Sequence, residues 1–415
     1  IKGKGGRNAA LALSIGQLAL SLVVLFQFNH NPASTQLMLN CTWVKTLGIH
    51  FSVAIDGLSV LLALLTSFLV PLVIISSFKN NYEKENVFYG LILLMQMALV
   101  GVFMANDGFL FYVFWELALI PIYFISLMWG GENRAKITFK FFVYTLFGSL
   151  FMLIGLIYLY NHTLNINGEK SWALQDLINA GHSLNEAQQG IVFCMLFIAF
   201  AIKMPILPFH TWQPDTYVTA PTQGTMMLSG IMAKMGTFGL MKWLLPMVPM
   251  GLEKWGGLAI ALSIVGVVYG SCIAIVQKDY KRLVAYSSFA HLGLISAGIL
   301  SATEQGLQGA VVQMLSHGVN AVGLFLIADI LLRHTGTRDI DKLGGIRSMN
   351  GNFAVLFLII MLGSVALPLT NGFPGEFLLI NGIFQYSAWW AAFAGLSVIL
   401  GAVYMLRSYQ GIMLG

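Results

Sequence analysis

Four charged side chains lie inside stretches of the chain that are otherwise apolar: Glu116, Lys203, Lys234 and Glu376. A charge near the middle of a bilayer costs roughly 2.5–3.5 kcal/mol on insertion scales, so acids and bases at that depth usually serve the movement of ions or protons. These residue types therefore indicate charge transfer through a membrane. A passive membrane scaffold would leave the two lysines without an explanation.

The polar residues in apolar segments recur at nearly equal spacing. Glu116 and Lys203 are 87 positions apart, and His291 and Glu376 are 85 positions apart. His317 is a further candidate, because histidine titrates near neutral pH and can pass protons. The spacing predicts two half-sites that handle protons.

Each candidate also has a purely structural alternative. Glu116 and Lys203 could form a static buried ion pair that holds two helices together. Lys234 could extend its ammonium group to a membrane interface. His291 and His317 could each be hydrogen-bonded to a neighbouring backbone group and take no part in transfer.

The elements that must position these residues are membrane-spanning helices. Of the 415 residues, 57% are hydrophobic and only 9% are charged. The charged share is far below the roughly 25% of soluble domains. Stretches near the roughly 20 apolar residues that cross the hydrocarbon core predict about twelve spans, at residues 9–29, 51–78, 88–105, 108–129, 138–160, 190–210, 219–245, 256–277, 283–300, 305–333, 352–383 and 386–411.

Two of the predicted spans are interrupted, one by Pro205 and Pro208 and the other by Pro368, Gly372 and Pro374. Broken helices at matching places in two halves are typical of inverted-repeat transporters, and an odd number of spans in each half inverts the second copy. We therefore predict an all-α polytopic protein. Its expected segments are N-terminal helices (1–87), a first five-helix repeat (88–245) and a second, inverted five-helix repeat (256–411).

Basic residues are distributed unevenly between the two sides on which the predicted loops lie. Lys45, Lys170, Lys242 and Lys254 fall on one side. Apart from the two lysines inside spans, every other lysine and arginine falls on the opposite side, which the positive-inside rule makes cytoplasmic. The net charge of +5 is then explained by loops that face anionic lipid headgroups, and no nucleic-acid partner is expected.

The cysteines give no sign of a metal or redox centre. Cys41, Cys194 and Cys272 stand far apart and form no CxxC pair, which disfavours an iron–sulfur cluster or a cysteine zinc site. We expect no metal or redox cofactor in this chain. The chain begins with Ile1 rather than Met and shows no short apolar segment with a cleavage site, so we expect no cleaved signal peptide and a chain that is part of a longer one.

Residues near the ends of the spans have structural interpretations. Asp56 lies near the outer end of its span, which favours a hydrogen-bonding role over transport. Trp43, Trp129, Trp243 and Trp255 lie at similar depths, and tryptophan is enriched at membrane interfaces. We therefore predict that these four side chains are interfacial anchors.

Several runs of residues resemble the signature sequences of the antiporter-like subunits of respiratory complex I. They are the run 114–124, Phe-Trp-Glu-Leu-Ala-Leu-Ile-Pro-Ile-Tyr-Phe, the run 203–215 from Lys-Met-Pro to Gln-Pro-Asp, Ala220-Pro221-Thr222 with Lys234 twelve residues on, and Asp279-Tyr280-Lys281-Arg282 leading to His291. The resemblance covers nearly the whole chain. It implies a fold of fourteen helices, of which the first and the last are not in this sequence.

The residue in the second broken helix separates the members of that family, and here it is Glu376. Subunits L and N, and Mrp-type sodium/proton antiporter subunits, typically place a lysine there. The resemblance implies a proton-translocating subunit of NADH–quinone oxidoreductase in a bacterial inner membrane, beside subunits L and N, with NAD, FMN, iron–sulfur clusters and quinone in partner subunits. A subunit of an Mrp-type antiporter or of a membrane-bound hydrogenase is the alternative. Glu376 would be the terminal acid, from which a proton leaves to the outside.

The resemblance also assigns tasks to the other candidates. Lys203 would be the loading site and Glu116 its modulator. Burial favours the neutral lysine and a nearby carboxylate favours the charged one, so a movement of Glu116 would switch proton uptake and release. Lys234, His291 and His317 would then pass the proton laterally with intervening water.

Overall fold

The computed structural model describes residues 4–28 and 35–415. Helix α1 (Lys4–Gln27) is followed by an antiparallel hairpin of β1 (Gln36–Val44) and β2 (Ile49–Ile55), and then by helix α2 (Gly57–Ser76). The end of predicted span 9–29, and residues 1–3 and 29–34 of predicted segment 1–87, lie outside the described residues.

The predicted span 51–78 is wrong at its start, because residues 51–55 belong to β2. From Ile49 to Val53 the chain alternates between apolar and polar side chains, the period of a strand rather than of a helix. Helix α2 begins only after Asp56, whose carboxylate accepts a hydrogen bond of 2.8 Å from the backbone N–H of Ser59. A carboxylate at this cap position stabilises the first turn of a helix.

The remaining helices follow the predicted order. Up to residue 247 they are α3 (Glu85–Met104), α4 (Gly108–Leu117), α5 (Leu119–Trp129), α6 (Arg134–Asn167), α7 (Leu174–Ser183), α8 (Glu186–Lys203), α9 (Gln213–Thr219), α10 (Thr222–Met227), α11 (Lys234–Gly239) and α12 (Leu245–Met247). Beyond it they are α13 (Pro249–Val276), α14 (Tyr280–Leu300), α15 (Glu304–Thr335), α16 (Ile346–Met349), α17 (Gly351–Ser364), α18 (Phe373–Tyr386) and α19 (Ala388–Tyr409). Turns of 3₁₀ helix lie at Lys45–Leu47, Ser77–Lys79 and Ile340–Lys342, and turns of π-helix at Leu228–Met232, Leu240–Leu244 and Gln410–Leu414.

Ten helical segments in the described part of the chain are long and apolar enough to cross a membrane. The other two predicted spans, 219–245 and 352–383, are built from shorter pieces: α10, α11 and α12 with π turns between them in the first, and α17 and α18 in the second. The protein is thus a multi-pass membrane protein. The all-α class is confirmed, and the hairpin of β1 and β2 is a small addition to it.

Both predicted helix breaks are present. Residues 204–212 separate α8 from α9, and residues 365–372 separate α17 from α18. Pro205 and Pro208 explain the first break, because proline lacks the backbone N–H that a helix needs and its ring clashes with the carbonyl four residues earlier. Each break therefore creates two new helix ends.

The described chain divides into two compact units. Unit 1 comprises the described residues up to Gly130, together with Arg134–Lys203 and Lys234–Gly257, and unit 2 comprises Gly131–Asn133, Met204–Ala233 and Leu258–Gly415. The first broken helix is therefore shared, since α8 belongs to unit 1 and α9 to unit 2. The segments 1–87, 88–245 and 256–411 stay a prediction.

A cluster of aromatic rings fills the core of unit 1. The rings of Phe111 and Trp243 stack with their centroids 4.4 Å apart, and those of Trp115 and Phe200 lie 5.6 Å apart. Trp243 is fully buried, so its predicted role as an interfacial anchor is wrong. Its place near the end of an apolar segment resembles that of an anchor, but the ring packs against another helix.

Candidate functional site

In unit 1, Glu116 lies next to an irregular turn in a spanning helix. α4 ends at Leu117 and α5 begins at Leu119. Pro121 has no N–H to donate to the carbonyl of Leu117, which loosens the helix at this point. The Glu116 side chain interacts with the Ser149 hydroxyl of α6 and, electrostatically, with Lys203.

Lys203 is the last residue of α8 and is only 3% exposed. Its Nζ lies 5.3 Å from the centroid of the Trp115 ring, within the range of a cation–π interaction. Lys203 and Glu116 interact electrostatically, and no hydrogen bond from Nζ joins the two side chains. Among the described residues, no protein group accepts a hydrogen bond from Nζ. The predicted pair is therefore present as two neighbouring but separate charges.

Lys234 is fully buried in the same unit. It is the first residue of α11, which lies between the π turns Leu228–Met232 and Leu240–Leu244. π-turns are rare and occur frequently at functional sites. A lysine that reached a membrane interface would expose its ammonium group, so the interfacial alternative for Lys234 does not agree with the structure.

In unit 2, His291 and Glu376 are in direct contact. His291 Nδ1 lies 3.0 Å from Glu376 Oε1, and both side chains are largely buried. The same carboxylate oxygen accepts a 3.4 Å hydrogen bond from Gln313 Nε2. The ring centroid of His317 lies 5.7 Å from that of His291. The structure therefore brings the predicted residues His291, His317 and Glu376 together in one cluster.

The second break is held in place beside this cluster. Ser316 Oγ donates a 2.6 Å hydrogen bond to the carbonyl of Asn371, and the side-chain amides of Asn371 and Asn320 bond to each other at 3.1 and 3.4 Å. Ala366 and Leu369 have left-handed φ angles of 52° and 74°. Such strain in residues with a Cβ persists only where surrounding contacts hold it, and it is often found near functional sites.

Two features of the site were not predicted from the sequence. Trp115 contacts Lys203, and its position directly before Glu116 in the quoted run was the only available signal. Gln313 contacts Glu376, but a glutamine in an apolar helix carries no distinctive pattern. Both contacts depend on how helices pack, which the spacing of residues along one helix does not reveal.

A clamp holds the helix that follows the first break. Lys281 is buried, and its Nζ donates hydrogen bonds of 2.7 and 3.2 Å to the carbonyls of Ala220 and Val218, at the end of α9. The next residue, Arg282, forms a 3.0 Å ion pair with Asp215 of α9. Consecutive residues at the start of α14 therefore fix α9 within unit 2.

An ion pair in unit 1 lies where α2 begins. Lys242 bonds directly to Asp56, and both side chains are largely shielded from solvent. Burial alone would raise the pKa of Asp56, but the Lys242 charge and the hydrogen bonds to the carboxylate outweigh it and leave that pKa below its usual value. The structural role predicted for Asp56 agrees with this pair and with its cap on α2.

Two family models match the sequence. The model described as NADH:quinone oxidoreductase/Mrp antiporter, transmembrane, matches residues 105–401. The model described as NADH-ubiquinone oxidoreductase chain 4, amino terminus, matches residues 10–102. The two matches cover both described units.

Known proteins align with almost the entire length of this chain. NADH-quinone oxidoreductase subunit M of Rickettsia typhi is 40% identical over 98% of this chain and 81% of its own length. A chain in the structure of respiratory complex I from Thermus thermophilus with bound NADH has a TM-score of 0.87 and 32% identity, over 98% of this chain and 88% of that one. A chain of the Mrp complex from a Dietzia species has a TM-score of 0.86 and 21% identity, over 99% of this chain and 44% of that one, and so shares the fold.

Proposed function

The chain belongs to the NADH:quinone oxidoreductase/Mrp antiporter transmembrane family, and on that premise we propose that it is subunit M of a bacterial NADH–quinone oxidoreductase. In this role it moves protons across the membrane while electrons pass from NADH to quinone in partner subunits. The observation that carries the proposal is the burial of acids and bases at the helix breaks of a membrane protein, where a permanent charge is costly.

Each unit supports one part of this task. In unit 1, Lys203 loads a proton, and Glu116 modulates it through the electric field rather than through a bond, because the two side chains are not in direct contact. In unit 2, the hydrogen bond between His291 and Glu376 is a path along which one proton can be shared. Lys234 and His317 complete the proposed relay.

The redox chemistry belongs to other chains in this proposal. NAD, FMN, iron–sulfur clusters and quinone are held by partner subunits, and this chain supplies a proton path beside the antiporter-like subunits L and N. The likeness to a chain of the Thermus complex supports membership of such an assembly. Glu376, where Mrp-type subunits typically have lysine, favours the redox-driven complex over an ion-driven antiporter.

The test is a lysine exchange in the native membrane with a matched control. Lys203→Ala removes the buried ammonium group, and Lys254→Ala removes an exposed lysine that pairs with Glu186 at 3.2 Å. NADH–quinone turnover, proton-gradient formation and sodium-dependent proton exchange are measured on vesicles, and assembly is followed on a native gel. We expect turnover and pumping to fall together in Lys203→Ala, with assembly intact and Lys254→Ala unchanged.

Other outcomes would separate the alternatives. If Lys203→Ala leaves NADH turnover and pumping intact but abolishes sodium-dependent proton exchange, the chain is an antiporter subunit. If hydrogen-driven rather than NADH-driven pumping is lost, it belongs to a membrane-bound hydrogenase.

A further inference from the structure

Unit 2 contains a small cavity beside the histidine pair, lined mainly by residues of α14 and α15. It is lined by His291, His317, Asn320 and Ser287, among others, and Val284 closes the lining on α14. From His291 to Val284 the lining extends about 10 Å, at roughly 1.5 Å per residue. The cavity has room for about one water molecule.

A second pocket lies at the basic end of the same unit. Its lining includes Lys278, Asp341, Arg407 and Tyr404. The side chains of Lys278 and Asp341 form an ion pair of 2.7 Å and are 75% and 53% exposed, so this pocket meets the solvent. Its basic residues place it on the side that the positive-inside rule predicts to be cytoplasmic.

Tyr404 is one of the residues that line the outer pocket. Its hydroxyl lies 3.1 Å from Ser287 Oγ, and Ser287 is one of the residues that line the histidine cavity. Tyr404 and Ser287 are each 2% exposed. On α14, Leu283 lines the outer pocket and the adjacent Val284 lines the inner cavity. The contact between these two hydroxyl groups therefore joins a residue of the outer pocket to a residue of the histidine cavity.

We propose that Tyr404 and Ser287 form a proton-conducting bridge, a second entrance through which protons reach the histidine cavity from the cytoplasmic side in addition to those supplied from Lys203. This proposal rests on the proton translocation proposed above. A hydroxyl group can accept one hydrogen bond while it donates another. The Tyr404 oxygen takes a proton from a hydronium ion in the outer pocket, which becomes water, and gives its own proton to Ser287 Oγ. Ser287 in turn gives its proton to a water molecule in the cavity. One O–H bond forms for each that breaks, and rotation of both hydroxyls restores the starting arrangement.

The bridge also explains how protons, unlike other cations, enter the histidine cavity of unit 2. The buried ring of Tyr404 and the aliphatic side chains of Leu283 and Val284 separate the pocket from the cavity. A hydrated sodium ion would have to displace these side chains. A proton moves by the exchange of hydrogen bonds and needs no such opening.

The test removes single hydroxyl groups from the assembled complex. Tyr404→Phe keeps the ring, Ser287→Ala removes the partner hydroxyl, and Ser287→Thr retains a hydroxyl. Tyr409→Phe is the matched control, because the Tyr409 hydroxyl lies on the same helix but donates to the carbonyl of Ala354 at 3.2 Å. Turnover, protons pumped per NADH and the solvent deuterium isotope effect are measured on vesicles, with assembly followed on native gels.

We expect Tyr404→Phe and Ser287→Ala to lower pumping at least about tenfold, since a positioned proton-transfer group commonly contributes about 10²–10⁴-fold to a rate. Ser287→Thr should retain more pumping than Ser287→Ala, and Tyr409→Phe should pump normally. Normal pumping in both bridge variants, or an equal loss in the Tyr409 control, overturns the bridge. The proposed function itself would be overturned only if Lys203→Ala pumped protons normally.

Discussion

Each unit contains a buried acid near a buried base, but the distance between the two side chains differs between the units. In unit 1, Glu116 and Lys203 act on each other without a direct contact, and the lysine lies over the ring of Trp115. In unit 2, His291 and Glu376 are 3.0 Å apart. A separated pair can be tuned by a small movement of one member, whereas a bonded pair can exchange a proton without any movement of the helices.

The helix breaks explain which charge occupies which position. Lys203 is the last residue before the first break, at the carboxyl end of α8, where the helix dipole favours a cation. Glu376 lies in the first turn after the second break, at the amino end of α18, where the dipole favours an anion. The opposite signs of the two residues therefore match the opposite ends of the two half-helices.

Removing the carboxylate of each unit should destabilise unit 2 more than unit 1. Glu376→Leu leaves His291 and Gln313 without their acceptor, which should cost about 1–3 kcal/mol for each buried group left unsatisfied. Glu116→Leu breaks no ion-pair contact and should cost about 1 kcal/mol, the net value of a typical hydrogen bond. Melting temperatures of the purified complex measure both effects. Equal losses would show that the contact in unit 2 does not distinguish the units.

A smaller loss of stability is expected when the contacts of Lys281 and Arg282 with α9 are removed, and it should differ between the buried and the exposed residue. Lys281→Met leaves two backbone carbonyls without their donor and should cost about 1–3 kcal/mol. Arg282→Met removes an ion pair whose members are 38% and 36% exposed, and it should cost about 1 kcal/mol or less. Thermal unfolding of both variants makes this comparison between adjacent residues. A larger loss for Arg282→Met would contradict it.

The smallest effect should come from the ion pair at the start of α2, where unit 1 does bring opposite charges into contact. The folded pKa of Asp56 lies below its usual value. Its contribution is therefore complete above about pH 3.9 and is lost as the pH falls through the folded value. Asp56→Asn keeps a side-chain oxygen that can cap α2 and accept from Lys242, so only the charge assistance of that hydrogen bond is lost. The free energy of unfolding, followed through the melting temperature, should fall by about 1 kcal/mol at pH 6 and by less at pH 3. A difference independent of pH would mean that the charge of Asp56 contributes nothing.

Much of this architecture could be predicted from the sequence. Apolar stretches mark the spanning helices, and the prolines near Lys203 and Glu376 mark the breaks, because both signals are local. The hairpin was missed although the alternation from Ile49 to Val53 indicates a strand, since that short pattern runs directly into the apolar stretch of α2.

Other features could not be predicted, because they depend on contacts between distant segments. The π turns on either side of Lys234 consist of residues that also suit an α-helix. Trp243 is buried because Phe111 stacks on it, and Tyr404 meets Ser287 across 117 positions of the chain. Pair contacts of this kind leave no pattern along a single helix.

The division of the first broken helix has a practical consequence for dissecting the protein. The polypeptide passes between the units five times, at residues 130–131, 133–134, 203–204, 233–234 and 257–258. No single cleavage point separates them, and a fragment that ends at Gly257 would carry α9 and α10 without the rest of unit 2. The two charge sites therefore cannot be obtained as separate recombinant pieces, and their contributions have to be resolved by substitutions in the intact chain.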